Sequence, residues 1–457
     1  MARQSTWMRS SLNKRNAKHA RPAAARRAFI GAACGLLLLA SAAVVLRSSR
    51  PAPGVRVLRD GKGAYRMTVD GKPYVIRGAC YNPVPIGQGS DYDWWSDPYK
   101  PWIVDGKLMK EMGINTVRLY QPGDDPAKVK AVIGDLYGNF GIRVTMGTWL
   151  GFWEYPCPLY GDKEFRDRIK ADVLKMVREY KDEPGILCWI LGNENNYACL
   201  GTVNPWSTDE IDKEPDQARR KAMRFELYYS FIKELTDEIH AIDPRHPVAL
   251  GNGELIGLDV ASRACPNVDM IACIIYRGKT FGALFKSLKA TFDKPLMISE
   301  FGADTYDAVA RKEDQNQQAF FLEAEWRQIY ANLAGGKDGE GNCLGGTMFE
   351  WTDEWWKHNP TDSARWAVHD TESNWSNGSY YFDITAPNNM NMNEEWFGIV
   401  ALSDTQKEAG LDKRVPRKAY YVIRDFWKDP EGSPQSKPPV RKEEPREKVR
   451  GIKISGD

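Results

Sequence analysis

Two hydrophobic rhythms alternate along most of this chain. Short apolar runs recur at Ile76 to Ala79, Thr116 to Tyr120, Arg143 to Thr148, Ile186 to Leu191, Val248 to Gly251, Met270 to Ile275, Leu296 to Ser299 and Gly346 to Glu350. Between most of them lie stretches whose apolar residues return every third or fourth position, clearest at Asp172 to Tyr180 and Phe225 to Ile242. The first rhythm predicts buried strands and the second predicts amphipathic helices. Strands that alternate with longer helical connections predict an α/β fold, a closed (β/α)₈ TIM barrel. An open doubly wound sheet is the alternative. It would usually carry a glycine-rich phosphate turn after its first strand, whereas this chain runs there into Cys80-Tyr81-Asn82-Pro83.

Ahead of the first strand, Tyr65 to Val69 and Tyr74 to Arg77 flank Asp70-Gly71 and read as a short β-hairpin capping the bottom of the barrel. Connections that follow strands are long and rich in Trp, Tyr, Asn and Gly, while those that precede strands are short, such as Glu111 to Asn115. In a (β/α)₈ barrel the loops after strands build the active site, so this asymmetry predicts one functional face.

The ends of the chain differ from its middle. Residues 1–27 are basic, with eight Arg or Lys and no acidic residue. Residues 28–46 carry no charge, and nineteen helical residues span roughly 28 Å, close to the hydrocarbon thickness of a bilayer. This reads as a single transmembrane signal-anchor with its basic side in the cytoplasm and the bulk of the chain on the extracytoplasmic side. A cleaved signal peptide, using Ala40-Ser41-Ala42, is the competing reading and would make the protein secreted. Residues 47–64 read as a linker, residues 65–428 as the barrel domain, and residues 429–457, rich in Pro, Lys, Glu and Arg, as a disordered charged tail.

Composition narrows the partners. The formal net charge is +2, and no basic stripe crosses the folded part, which argues against nucleic acid. Sixteen Trp and twenty Tyr suit stacking on flat apolar faces such as sugar rings, although a large barrel core uses aromatic residues too. The five histidines show no metal-ligand spacing and the cysteines no CxxC pair, so neither metal nor cofactor is expected. Cys157 and Cys199, both in aromatic loops after strands, are the first candidates for a disulfide, while Cys188 and Cys273 read as buried small hydrophobes.

Two carboxylates stand out. Glu194 follows the apolar run Ile186 to Leu191, and Glu300 follows Leu296 to Ser299. Cleaving a glycosidic bond needs a proton donor on the leaving oxygen and a carboxylate at the anomeric carbon, about 5–5.5 Å apart in a retaining enzyme. The ends of two strands on one rigid face can supply that pair. The bland alternatives are a helix-capping cluster at Asn193, Asn195 and Asn196, and a structural ion pair at Glu300. Glu154, Glu254, Glu350, Asp353 and Glu354 also lie near strand ends, as substrate contacts or as rivals.

Leu191-Gly192-Asn193-Glu194-Asn195 resembles the acid/base motif of the large retaining glycosidase clan with (β/α)₈ barrels. Ile298-Ser299-Glu300-Phe301-Gly302-Ala303-Asp304 resembles the nucleophile motif of glycoside hydrolase family 2, the β-galactosidases and β-glucuronidases. The resemblance spans roughly residues 65 to 428. It implies Glu194 as acid/base after strand four and Glu300 as nucleophile after strand seven. It also implies Arg118 as a cation bonded to the nucleophile, Tyr276 as a contact to it, and Trp351 as the tryptophan under the reacting sugar. For Arg118 the alternative is a surface ion pair, for Tyr276 a packed loop tyrosine, and for Trp351 a core position. Asn193 is placed to bond the sugar 2-OH. Trp149, Trp153, Trp94, Trp95 and Trp206 are candidate subsite residues.

Two departures bear on substrate. Family 2 enzymes normally carry β-sandwich domains ahead of the barrel, and only residues 47–75 separate the apolar segment from the first strand here. Arg77 to Asn82 and Met112 to Arg118 also resemble the membrane-attached β-1,3-glucanosyltransferases of fungi. The expected activity is retaining hydrolysis of a β-linked oligo- or polysaccharide. Transfer to an acceptor sugar is the alternative. A non-catalytic polysaccharide-binding protein would be expected to have lost one of the two glutamates, and both are present.

Overall fold

The computed structural model describes residues 54–154, 158–201, 203–307, 310–371 and 392–437. The apolar segment 28–46, the basic tail 1–27 and the end of the charged tail from residue 438 lie outside them. Among the described residues no helix is long and apolar enough to cross a membrane.

The first element corrects the expectation of a linker over 47–64. Strand β1 (Val55–Arg59) pairs antiparallel with β2 (Tyr65–Val69), from Val55 opposite Val69 to Arg59 opposite Tyr65. β2 then pairs with β3 (Lys72–Tyr74) across the Asp-Gly turn. The expected hairpin is thus the second half of a three-stranded sheet. Arginines between the valines of β1 disguise a strand that buries only one face.

Eight parallel strands follow and close on themselves. They are β4 (Ile76–Cys80), β5 (Thr116–Leu119), β6 (Arg143–Thr148), β7 (Ile186–Leu191), β8 (Val248–Gly253), β9 (Met270–Ile274), β10 (Leu296–Phe301) and, after the small ribbon β11 (Tyr306–Asp307) with β12 (Lys312–Glu313), β13 (Cys343–Met348). β13 pairs with both β10 and β4, which seals the barrel. All six residues of β7 are buried, because one face meets the barrel interior and the other meets the helices. That two-sided burial explains why the strands read as continuous apolar runs.

Helices occupy the outer layer. Among them α1 (Pro101–Met112) and α2 (Pro126–Phe140) follow β4 and β5, α3 (Lys163–Tyr180) precedes β7, and the long α4 (Gln217–Ile242) precedes β8. Asp162 caps α3 by accepting the Phe165 N–H at 2.7 Å, and the helix buries Phe165, Ile169, Val173 and Val177. After β13 the chain forms an antiparallel pair, β14 (Val400–Glu408) with β15 (Leu411–Pro416), followed by a helix over Lys418–Lys428. The Trp427 ring of that helix meets Trp326 edge-on at 4.8 Å.

The three-stranded sheet plugs the N-terminal end of the barrel. Val55, Tyr65, Met67 and Val69 form one buried cluster with Ile76, Leu187, Met270, Met297 and Leu344, which stand at or near the starts of their strands. The opposite end holds Glu300 near the end of β10 and the turn after β7 that carries Glu194. Met67→Ala should therefore cost about 2–5 kcal/mol through lost burial and a cavity, whereas Lys72→Ala on the exposed β3 should stay within about 0.5 kcal/mol. Urea denaturation of the two variants tests the difference.

Candidate active site

Glu300 occupies the fifth position of β10, only 6% exposed. The preceding carbonyl, Ser299 O, accepts from Thr347 Oγ1 at 2.6 Å, from Arg118 Nη1 at 3.0 Å and from Cys80 Sγ at 3.4 Å. Three other strands, β13, β5 and β4, therefore fix the backbone that carries the carboxylate. Its Oε1 accepts from Arg118 Nη1 and from the Tyr120 hydroxyl, each at 2.7 Å, and its Oε2 accepts from the Tyr276 hydroxyl at 2.9 Å. A charge-assisted pair and two phenols thus meet the desolvation of a buried carboxylate.

Glu194 sits on a turn that the local sequence forces. Gly192 has φ 81°, and a Cβ there would lie 2.7 Å from Asn195 Oδ1 and 2.8 Å from the Tyr228 hydroxyl. Glu194 itself is left-handed, φ 58°. A non-glycine residue in that region costs roughly 1–2 kcal/mol, so neighbouring contacts must hold it. Asn195 provides them: its Oδ1 accepts the Asn193 N–H at 2.6 Å, and its amide donates to Trp149 O at 2.9 Å and to the Tyr160 hydroxyl at 2.6 Å. Asn196 exchanges hydrogen bonds with the backbone of Gly253, donating at 2.9 Å and accepting at 2.8 Å. A short 3₁₀ turn over Asn195–Leu200 does follow Glu194, but no side chain caps it. The asparagines brace the turn instead of starting a helix.

One guanidinium joins the two segments. Arg118 Nη1 binds Glu300, while Nη2 donates to Asn193 Oδ1, beside Glu194. Arg118 lies fully buried with its guanidinium 4.4 Å from the Tyr120 ring centroid. Burial, then the nearby charges of Glu300 and Glu394, push the Glu194 carboxyl up to about 8. Burial and the adjacent Glu300 hold the Tyr276 hydroxyl well above its ordinary value, so it remains a donor. The site thus contains a proton-bearing carboxyl beside a carboxylate that three side chains grip.

The surrounding wall was not foreseen as a unit. Phe349 meets Tyr276 at 6.2 Å and Phe397 at 5.6 Å. Beyond it, Lys357 Nζ lies 3.0 Å from both Glu354 Oε2 and Glu394 Oε2. Glu350 is 2% exposed, and its Oε1 has no hydrogen-bond partner. Burial and then Glu354 drive its carboxyl well above the usual range. Tyr120 was visible in the sequence as the last residue of the motif containing Arg118. Lys357 and Glu394 had no signal, because 36 residues separate them in the chain.

No family model matches the chain. Over 130 residues, 28% of its length, it is 25% identical to a curated protein of Formosa agariphila named "Putative beta-glucuronidase", of which the match covers 11%. A solved structure of a Bacteroides uniformis β-glucuronidase matches 82% of this chain at TM-score 0.52 and 17% identity. So does B. uniformis β-glucuronidase 2 covalently bound to cyclophellitol-6-carboxylate aziridine, at TM-score 0.51 and 17% identity. The likeness to these structures is one of fold. The chain corresponds to 37% of the length of either structure.

Of the expected site residues, Glu194, Glu300, Arg118, Asn193 and Tyr276 come together as described. Trp149 stacks on Tyr120 at 5.2 Å and 9°, and Trp153, 68% exposed, meets Trp149 edge-on at 6.0 Å. Trp351 is a correction: it is fully buried in the core against Tyr420, and Phe349, two residues earlier, packs beside Tyr276. Past the end of β13 a strand's alternation no longer tells which side chain faces the cleft. Trp94, Trp95 and Trp206 are buried in the core as well, Trp94 stacked on Trp95 at 4.0 Å. Three of the rival carboxylates are engaged elsewhere, Glu254 with Arg277, Glu154 with Arg168, and Asp353 with buried Arg417 at 2.6 Å, while Glu350 and Glu354 stand in the wall described above. Cys199 is a buried free thiol, and Cys157, its expected disulfide partner, lies outside the described residues. Cys188 and Cys273 are fully buried thiols. Among the described residues no group of three or more His, Cys, Asp or Glu could hold a metal ion.

Two outcomes follow from this geometry. Arg118→Leu, which strands a buried carboxylate, should lower stability by about 3–5 kcal/mol, readable in chemical denaturation. Glu300→Gln removes a charge that raises Glu194, so the Glu194 carboxyl should titrate below about 8 in the variant. Infrared titration of the carboxyl band reads this directly.

Proposed function

We propose that this chain is a retaining β-glycosidase acting on a β-linked oligo- or polysaccharide, with Glu300 as nucleophile and Glu194 as acid/base. One observation carries the reading. A carboxylate held by Arg118, Tyr120 and Tyr276 lies beside a carboxyl that keeps its proton to about 8. Different surroundings let two residues of the same type serve as acid and as nucleophile. The Glu300 oxygen attacks the anomeric carbon as the bond to the leaving oxygen breaks, and the Glu194 proton passes to that oxygen. With the glycosyl ester formed, Glu300 is no longer charged and the Glu194 pKa falls. Glu194 then takes a proton from water, whose oxygen displaces Glu300. Oε2, with one neutral donor, is the freer oxygen for attack. Asn193, its carbonyl held by Arg118, keeps its amide N–H groups for the sugar 2-OH.

Transfer to an acceptor sugar is the second reading, and the exposed Trp153 beside Trp149 favours it. An aromatic face at the rim can hold an acceptor ring in place of water. The apolar segment 28–46 is proposed to anchor the chain with the barrel on the extracytoplasmic side, and signal cleavage would make it secreted.

Glu194→Ala should lower turnover of a natural glycoside by about 10²–10⁴-fold, with external azide restoring turnover of an activated aryl glycoside. Glu300→Ala should abolish turnover. Full activity in either variant would sink the assignment. In the native protein kcat/KM should fall as pH rises through about 8, because the proton needed by the leaving group is lost there. A profile flat to pH 10 would contradict Glu194 as the acid.

A further inference from the structure

We infer that the sugar ring bound over Glu300 carries no carboxylate, an extension that rests on the glycosidase reading. Recognition of a sugar carboxylate needs a cation free to pair with it, usually through charge-assisted hydrogen bonds. The positive charges that bear most on Glu194 belong to Arg118 and Lys357. Both are committed. Arg118 binds Glu300 at 2.7 Å, and Lys357 pairs at 3.0 Å with Glu354 and with Glu394.

Among the described residues the three carboxyl groups of Glu300, Glu354 and Glu394 outnumber these two cations. Arg277, at the end of β9, is taken by Glu254. Arg365, on the connection that carries Lys357, is exposed to solvent. The internal segments outside the described residues, 155–157, 202, 308–309 and 372–391, contain no Lys, Arg or His and so have no cation to add. A sugar carboxylate would meet like charge here. A neutral sugar would find acceptors for its hydroxyls in Glu354 and Glu394. Charge in this wall thus separates the chain from the β-glucuronidases whose fold it shares.

The test compares aryl β-glucoside and β-galactoside with aryl β-glucuronide and β-galacturonide, using the full chain in detergent. Turnover of the uronides should be lower by about 100-fold or more, the penalty expected of juxtaposed like charges. Binding of the same compounds to the Glu300→Gln variant, by calorimetry, gives a readout independent of chemistry. Neutral glycosides bound in preference but never turned over would fault the glycosidase reading and leave the charge preference standing. Uronides bound as tightly as neutral glycosides would overturn the inference whatever the turnover. Absence of binding by either class would overturn both. The double variant Glu354→Gln, Glu394→Gln frees Lys357 and should reduce discrimination against uronides by about tenfold or more. An unchanged ratio would also overturn the inference.

Discussion

The contact on which the site depends is the buried guanidinium of Arg118. It donates to the Glu300 carboxylate, to the Ser299 carbonyl behind it and to the Asn193 side chain next to Glu194. Residues from β5, from the turn after β7 and from β10 are thereby locked to one planar group whose donors point in fixed directions. The same contact sets the electrostatics. Glu300 is bonded to a cation and two phenols, and after burial itself its proximity is what most raises the neighbouring Glu194 carboxyl. The asymmetry between them comes from which one the guanidinium reaches.

The barrel lets this arrangement be rigid without being stabilising. The plug of β1 to β3 and the lower halves of the strands form an apolar cluster at one end, while unpaired or strained groups gather at the other. Glu194 in a left-handed conformation and Glu350 with an unbonded oxygen would be liabilities in a minimal core. They persist because the surrounding structure over-determines them. The connection after β13 shows the same pattern. His369 is sandwiched between Trp355 at 4.3 Å and Trp396 at 3.6 Å, and buried Arg417 spans Asp353 and Glu313. These contacts hold the segment that presents Lys357 and Glu394.

Fold likeness to β-glucuronidases therefore does not by itself carry the substrate. Barrels of this kind bring a glutamate pair to one end, and the identity of the sugar is written in side chains on the loops around it. In this chain the wall nearest the pair is acidic, with its lysine already engaged. The seventeen per cent identity to the solved β-glucuronidases leaves ample room for such a change.

Strand order, the eight parallel strands and the two glutamates were legible in the sequence because each rests on a local signal. A strand buried on both faces is an apolar run, and a charged residue at its end is conspicuous. Arg118 and Tyr276 followed from the same logic together with family likeness. What the sequence could not settle depends on contacts between distant segments. β1 is hidden because only Val55 is fully buried and arginines interrupt it. Trp351 and Phe349 cannot be told apart once regular strand geometry ends, and only the fold shows which one packs beside Tyr276. The cluster of Glu350, Glu354, Lys357 and Glu394 comes from distant parts of the one long connection between β13 and β14, which no periodicity links. The sequence determined a barrel with two carboxylates at one end, since burial and chain direction are local properties. The tertiary structure decided that the Glu194 carboxyl is raised and which charges surround the pair, because electrostatic energies depend on distances through space.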